Sequence, residues 1–147
     1  MKSIDRRTFL GAVAAVPVVA SMASSAAQDS GKRYRACVIG DTDNGGYGHN
    51  LHLLWSMRDD VEVVGLSDPH AKARRYYQKQ CGALRTYMNH EEMLDAEKPE
   101  LVVIGPRWTT HHKEYLLACA EVGAHGIIEK PLAADLAEAD EIIAVLD

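Results

Sequence analysis

Residues 126–135 read Gly-Ile-Ile-Glu-Lys-Pro-Leu-Ala-Ala-Asp, and this stretch decides the fold. Ile127 and Ile128 complete a short apolar strand that starts at His125, and a helical pattern follows Pro131. A strand running directly into a helix belongs to an open α/β sheet, which places its ligands at the carboxyl ends of the strands. Glu129 and Lys130 stand at such an end. Pro131 rigidifies the turn and is a candidate for a cis peptide bond.

Upstream, the same alternation recurs. Ala36–Ile39 is a buried strand, and Gly40–Gly48 is a loop holding four glycines. Leu51, Leu54 and Trp55 recur at helical spacing and predict a helix from Tyr47. Val61–Leu66 is a second strand, closed by Ser67-Asp68-Pro69. A polar helix over Ala71–Gln80 ends at Gly82. Leu84–Tyr87 is a third strand, and His90–Ala96 a short helix cut off near Pro99. Leu101–Ile104 is a fourth strand, ended by Gly105-Pro106. The helix over 111–122 turns Tyr115, Leu116, Cys119 and Val122 inward and stops at Gly123. After the fifth strand, His125–Ile128, the residues Leu132, Leu136, Ala139, Ile143 and Leu146 form one helical stripe. This order predicts a doubly wound, Rossmann-like parallel sheet of about five strands. It is incomplete at the C-terminus, because a sixth strand is what the architecture calls for next.

The 147 residues divide into 1–27, an export signal, 28–33, a polar linker, and 34–147, the sheet domain. Lys2, Arg6 and Arg7 form a charged head, Phe9–Ala20 an apolar run broken by Pro17, and Ser21–Ala27 a small-residue cleavage region. Cleavage falls after Ala27 or after Ala23. Asp5-Arg6-Arg7-Thr8-Phe9-Leu10 resembles the twin-arginine export motif; the alternative is an ordinary secretory signal. The expected location is periplasmic or exported, and the expected partner of this segment is the twin-arginine machinery, which carries folded, cofactor-loaded proteins.

The net charge of −5, without a basic stripe, argues against nucleic acid as a partner. Cys37, Cys81 and Cys119 have no C-x-x-C spacing; Cys37 and Cys119 read as core residues, and a disulfide framework is not expected.

The loop containing Gly40, Gly45 and Gly46 lies between a strand and a helix, the context of a pyrophosphate site. Thr42 occupies the place of the second glycine of G-x-G-x-x-G, and the loop is enlarged; a plain strand-to-helix turn is the alternative. Asp68 closes the second strand where an acid can accept hydrogen bonds from the adenosine ribose. That favours NAD, while Arg74 and Arg75 nearby leave NADP open; the alternative for Asp68 is a turn-forming residue before Pro69. Lys130 is the candidate catalytic group, donating a proton to a substrate carbonyl or taking one from a hydroxyl as hydride moves. Such a lysine needs its ammonium form destabilised by burial or a second cation. Glu129 is placed to bond the nicotinamide ribose; a solvated Glu-Lys pair is the alternative. His112 is placed on the rim of the cofactor cleft with Arg107 and Trp108. No metal site is expected from His111-His112 or His49-x-x-His52, for which no acid or thiol has matching spacing.

Together these residues resemble the N-terminal domain of the Gfo/Idh/MocA oxidoreductases from about Tyr34 to Asp147. Glu129-Lys130-Pro131 matches that family's E-K-P motif, and residues 123–131 its G-K-H-V-x-x-E-K-P run. Pro106 and His112 correspond to the proline and histidine of its T-P-N-x-x-H stretch. Gly105 and Arg107 depart from the threonine and asparagine of that stretch. The resemblance implies NAD(P)-dependent oxidation or reduction of sugars and polyols, with Lys130 as proton-transfer lysine and Pro106, Arg107, His112 and Glu129 around the cofactor. It also implies a C-terminal half that supplies the substrate pocket, so that a sugar or polyol is a partner only of a full-length form. Three readings follow: an N-terminal part of an oxidoreductase, inactive alone; a non-catalytic nucleotide-binding module; and a relative of the NAD-dependent glycoside hydrolases. An uncovered sheet edge makes a homo-oligomer a further expectation.

Overall fold

The computed structural model describes residues 31–146. The export-signal reading falls on residues 1–27, which lie outside the described residues. Five strands form one sheet: β1 (Tyr34–Ile39), β2 (Val61–Ser67), β3 (Arg85–Tyr87), β4 (Leu101–Ile104) and β5 (His125–Ile128). All pairings are parallel, in the order β3-β2-β1-β4-β5. The α-helices are α1 (Ala71–Cys81), α2 (His90–Glu97), α3 (His112–Glu121) and α4 (Leu136–Leu146). The sheet is therefore Rossmann-like and doubly wound, with its strand order reversing between β1 and β4.

Alternation along β1 assembles both cores. Ala36 and Val38 pack on one face with Trp55, Leu66, Cys81 and Val103. Cys37 and Ile39 pack on the other with Met93, Leu94, Ile104 and Cys119. These four β1 side chains are at most 1 % exposed, and complete burial of each larger one is worth about 1.5–3 kcal/mol. All three cysteines are free and buried, and burial pushes the Cys37 and Cys119 thiols up to about 12.

Two expectations need correction. No α-helix starts at Tyr47: the chain makes short 3-10 turns over Gly48–Leu53 and Trp55–Met57 instead. His49 and Asn50, at φ 46° and 57°, lie in the left-handed region, which interrupts any continuous right-handed helix. Leu51 and Leu54 still pack on the core, so the apolar spacing was real and its helical interpretation was not. In the last helix, Leu136, Ile143 and Leu146 are 84 %, 48 % and 51 % exposed, while Ile142 is fully buried. Leu132 lies before α4 altogether. The helix packs on α3, with Ile142 turned inward, and is tied across by the Lys113–Glu141 ion pair.

At the amino end of the sheet, Glu97 is 2 % exposed. It accepts from Arg35 Nη2 (2.8 Å) and Arg85 Nη2 (2.6 Å), as well as from the Tyr87 hydroxyl. Its hydrogen bond from Arg85, foremost among these contacts, holds its carboxyl at about 2, below the usual 4.5. A depressed folded-state value means the stabilisation is present above pH 4.5 and lost as pH falls towards 2. Both arginines are half in water, so the contribution is on the order of 2 kcal/mol. Urea unfolding of Glu97→Gln is expected to show that deficit at neutral pH and to converge on the parent across this acid window.

Candidate functional site

Three neighbouring strands end at one level. Gly40 N donates to Ser67 O and Gly105 N to Ile39 O, each at 2.9 Å. Beyond these ends opens a cleft of about 230 Å³, lined by Gly40, Asp41, Asp68, Asn89, His90 and Glu114 among others. It lies at the switch point where open α/β sheets bind ligands.

The glycine loop is more closed than its composition suggests. Asp41 accepts from the amides of Asp43 (2.9 Å) and Asn44 (3.2 Å), capping a short 3-10 turn. Its other oxygen accepts from Asn44 Nδ2 and the Tyr115 hydroxyl, both at 2.7 Å. The amides expected to stand free at a helix N-terminus are thus already held by a carboxylate. Gly45 and Gly46 have φ of 91° and 69°. A side chain at Gly45 would meet Arg107 N at 2.9 Å, whereas one at Gly46 would meet nothing within 4 Å. Tyr47 plugs the loop from below, its ring stacked on Tyr77 at 3.5 Å between centroids. Burial and the Asp68 carboxylate raise the Tyr47 phenol far above its usual range.

Asp68 is fully buried at the end of β2. It accepts from Thr42 Oγ1 and His70 N, each at 2.8 Å. Arg74 is turned to the carbonyls of Asp68 and Pro69 rather than to the cleft.

At the other end of the strand row, Glu129 is 3 % exposed. His49 Nδ1 lies 2.8 Å from its Oε1, and the Lys130 amide also donates to it. Glycine at 48 makes this possible, since a Cβ there would come within 2.6 Å of Glu129 Oε2. The Lys130–Pro131 bond is cis. Lys130 is exposed, and its Nζ makes no ion pair among the described residues. Pro106 is buried, while Arg107 is exposed and donates through Nε to Gly45 O at 2.9 Å.

His112 is placed behind the cleft rather than on its wall. Its ring is fully buried, with Nε2 2.8 Å from Pro106 O and Nδ1 2.9 Å from Pro131 O. It clamps the β4 turn to the β5 turn. The other paired histidines are also spoken for, His49 by Glu129 and His52 by Gln80. Sequence reading missed Asp41, His49, His90 and Tyr115. His49 and Glu129 lie 80 positions apart, and no local pattern joins them.

The chain matches the model of the oxidoreductase family with an NAD-binding Rossmann fold over residues 34–147. It belongs to that family. It is 30 % identical over 128 residues to D-apiose dehydrogenase of Paraburkholderia graminis, covering 87 % of this chain and 33 % of that protein. It is 29 % identical over 87 residues to myo-inositol 2-dehydrogenase of Thermotoga maritima, covering 59 % and 26 %. A probable dehydrogenase from Thermotoga maritima superposes with a TM-score of 0.65 at 27 % identity, covering 76 % and 32 %. The chain thus spans about a third of the length of these relatives.

The residues present fit a dinucleotide. The cleft sits at the switch point, Gly46 leaves open space above the loop, and Asp68 and Glu129 retain unused acceptor lone pairs. The diphosphate has to be met without the amides of Asp43 and Asn44.

Gly40 is the tightest contact of the site, because a Cβ there would fall 2.0 Å from the Tyr47 ring. Gly40→Ala is expected to cost about 1–3 kcal/mol in urea unfolding. The double variant with Tyr47→Ala should lose less than the sum of the two single changes, since both act on one contact.

Proposed function

We propose that this chain is the nucleotide-binding part of an NAD(P)-dependent oxidoreductase that acts on sugars or polyols by hydride transfer. The observation that carries the proposal is the pair of buried carboxylates, Asp68 and Glu129, at the carboxyl ends of β2 and β5, with Lys130 beside the second. The relatives named D-apiose dehydrogenase and myo-inositol 2-dehydrogenase support the substrate class.

When bound, NAD(P) accepts or returns the hydride. The chain's own residues do the rest. Gly40, Thr42, Gly45 and Gly46 form the floor on which the diphosphate lies. Asp68 accepts from the adenosine ribose and, as an anion, disfavours a 2′-phosphate. Glu129 accepts from the nicotinamide ribose, held in place by His49. Pro106 and Arg107 wall the nicotinamide end, and His112 positions both flanking turns. Lys130, exposed at the strand end, is the group placed to move a proton to or from a substrate oxygen, and it would need to be covered by bound cofactor and substrate for its ammonium form to be destabilised. The 147-residue chain alone is expected to bind NAD weakly and to turn over no substrate.

Fluorescence titration of the full chain with NADH and NADPH tests this. NADH is expected to bind more tightly than NADPH, and Asp68→Ala to weaken NADH by about tenfold or more, the worth of hydrogen bonds to a charged acceptor. NADPH binding as tightly as NADH to the parent chain would remove Asp68 from its role.

We further propose that residues 1–27 direct export through the twin-arginine route, supported by Arg6-Arg7 ahead of the apolar run Phe9–Ala20. Expressed in a bacterium with that translocase, the chain should reach the periplasm, and the Arg6→Lys, Arg7→Lys double variant should stay in the cytoplasm. Export of the double variant at the parent level would point to the general secretory route.

A further inference from the structure

One wall of the cleft carries groups that the nucleotide reading leaves unused. His90 opens α2 and is nine-tenths buried, its ring set edge-on to Tyr115 at 4.8 Å. Its Nε2 is enclosed by protein and has no hydrogen-bond partner among the described residues. Native structures rarely leave such an atom unsatisfied. The nearest acceptor, Glu114 Oε1 on α3, is 3.6 Å away, too far for a hydrogen bond.

That separation suits a different arrangement. Two ligand atoms each about 2.1 Å from a tetrahedral ion lie about 3.4 Å apart. Glu91 follows His90 on the first turn of α2, and one ligand atom from each of His90, Glu91 and Glu114 lies within 4.8 Å of the others. His111 Nδ1 holds the second oxygen of Glu114 at 2.9 Å, as the outer partners of metal-binding carboxylates do. All four residues line the cleft, so a fourth coordination position would open to solvent. Glu91 and Glu114 are exposed and free to close the remaining distance.

We propose that His90, Glu91 and Glu114 form a binding site for one divalent transition-metal ion of the zinc class. One imidazole and two carboxylates suit a borderline ion better than calcium or magnesium, which favour all-oxygen shells. The site shares none of the residues assigned to the nucleotide, and it stands whether or not the nucleotide reading does.

The test is equilibrium dialysis of the full, chelator-stripped chain against Zn²⁺, with Co²⁺ as a spectroscopic probe of coordination. One ion per chain is expected, with visible Co²⁺ bands of four- or five-coordinate geometry. His90→Asn and Glu114→Gln should each weaken Zn²⁺ by well over tenfold, and His111→Ala by about tenfold. His125→Asn, an exposed histidine on β5, should leave affinity unchanged. Circular dichroism checks each fold. Should His90→Asn fail to fold, the half-exposed Glu114 carries the test through its glutamine variant. Absence of saturable binding by the parent chain, or equal affinity in the parent and the folded ligand variants, would overturn the site.

Discussion

The site depends on one constraint: the carboxyl ends of β2, β1 and β4 are held level by main-chain hydrogen bonds from Gly40 to Ser67 and from Gly105 to Ile39. The loops after β2, β1 and β4 leave the sheet from these ties, and the Asp68 amide adds the end of β3 by donating to Tyr87 O. A parallel ladder fixes its strands only in register, so small shifts at the ends would move Asp68, the glycine loop and Pro106 relative to one another. Closing the ladder with bonds just past the strands removes that freedom. The two-sided core around β1 makes the arrangement stiff, because its side chains are locked between helices on both faces.

Polar burial at this edge follows from the same geometry. Asp68, His112 and Glu129 are at most 3 % exposed, positions that would be destabilising without partners. Each has them: a hydroxyl and an amide for Asp68, two turn carbonyls for His112, an imidazole and an amide for Glu129. These bonds join segments far apart in sequence, so they order the loops as a set. Loops positioned in this way keep their geometry without the ligand, which lowers the ordering cost of binding.

Much of the fold was legible in the sequence. The bounds of β4 and β5 and the left-handed stop at Gly82 follow from short apolar runs and punctuating glycines, which are local signals. Asp68 and Glu129 were legible as strand-end acids for the same reason. What failed was non-local. The spacing of Leu51, Leu54 and Trp55 is the same for an α-helix as for two 3-10 turns packed on one surface. Only the left-handed His49 and Asn50 distinguish them, and the His49 ring is held by Glu129, 80 positions away. The apolar stripe of α4 was legible as a helical period, but which face turns inward depends on what lies opposite, and it is Ile142 that is buried. Asp41 holds the loop's own amides locally, but its bond from the Tyr115 hydroxyl comes from 74 positions away, which no local pattern announces.

The charge pattern of the cleft sets how a dinucleotide can be recognised there. Asp41, Asp68, Glu91 and Glu114 all line it, while Arg74 donates to the carbonyls of Asp68 and Pro69 and Arg107 to that of Gly45. Among the described residues no guanidinium pair of the kind that binds phosphate bidentately lines the cleft. On the proposed reading, attraction would come from backbone groups of the glycine loop, whose partial charges are small, and from ribose hydroxyls donating to buried carboxylates, where low polarity strengthens each bond. Recognition built on hydroxyl donors loses heavily when a hydroxyl is replaced by a phosphate, because the acceptor is then left facing a second anion. On that reading, the same acidic wall that would make the diphosphate a weak anchor would make the adenosine ribose the discriminating one.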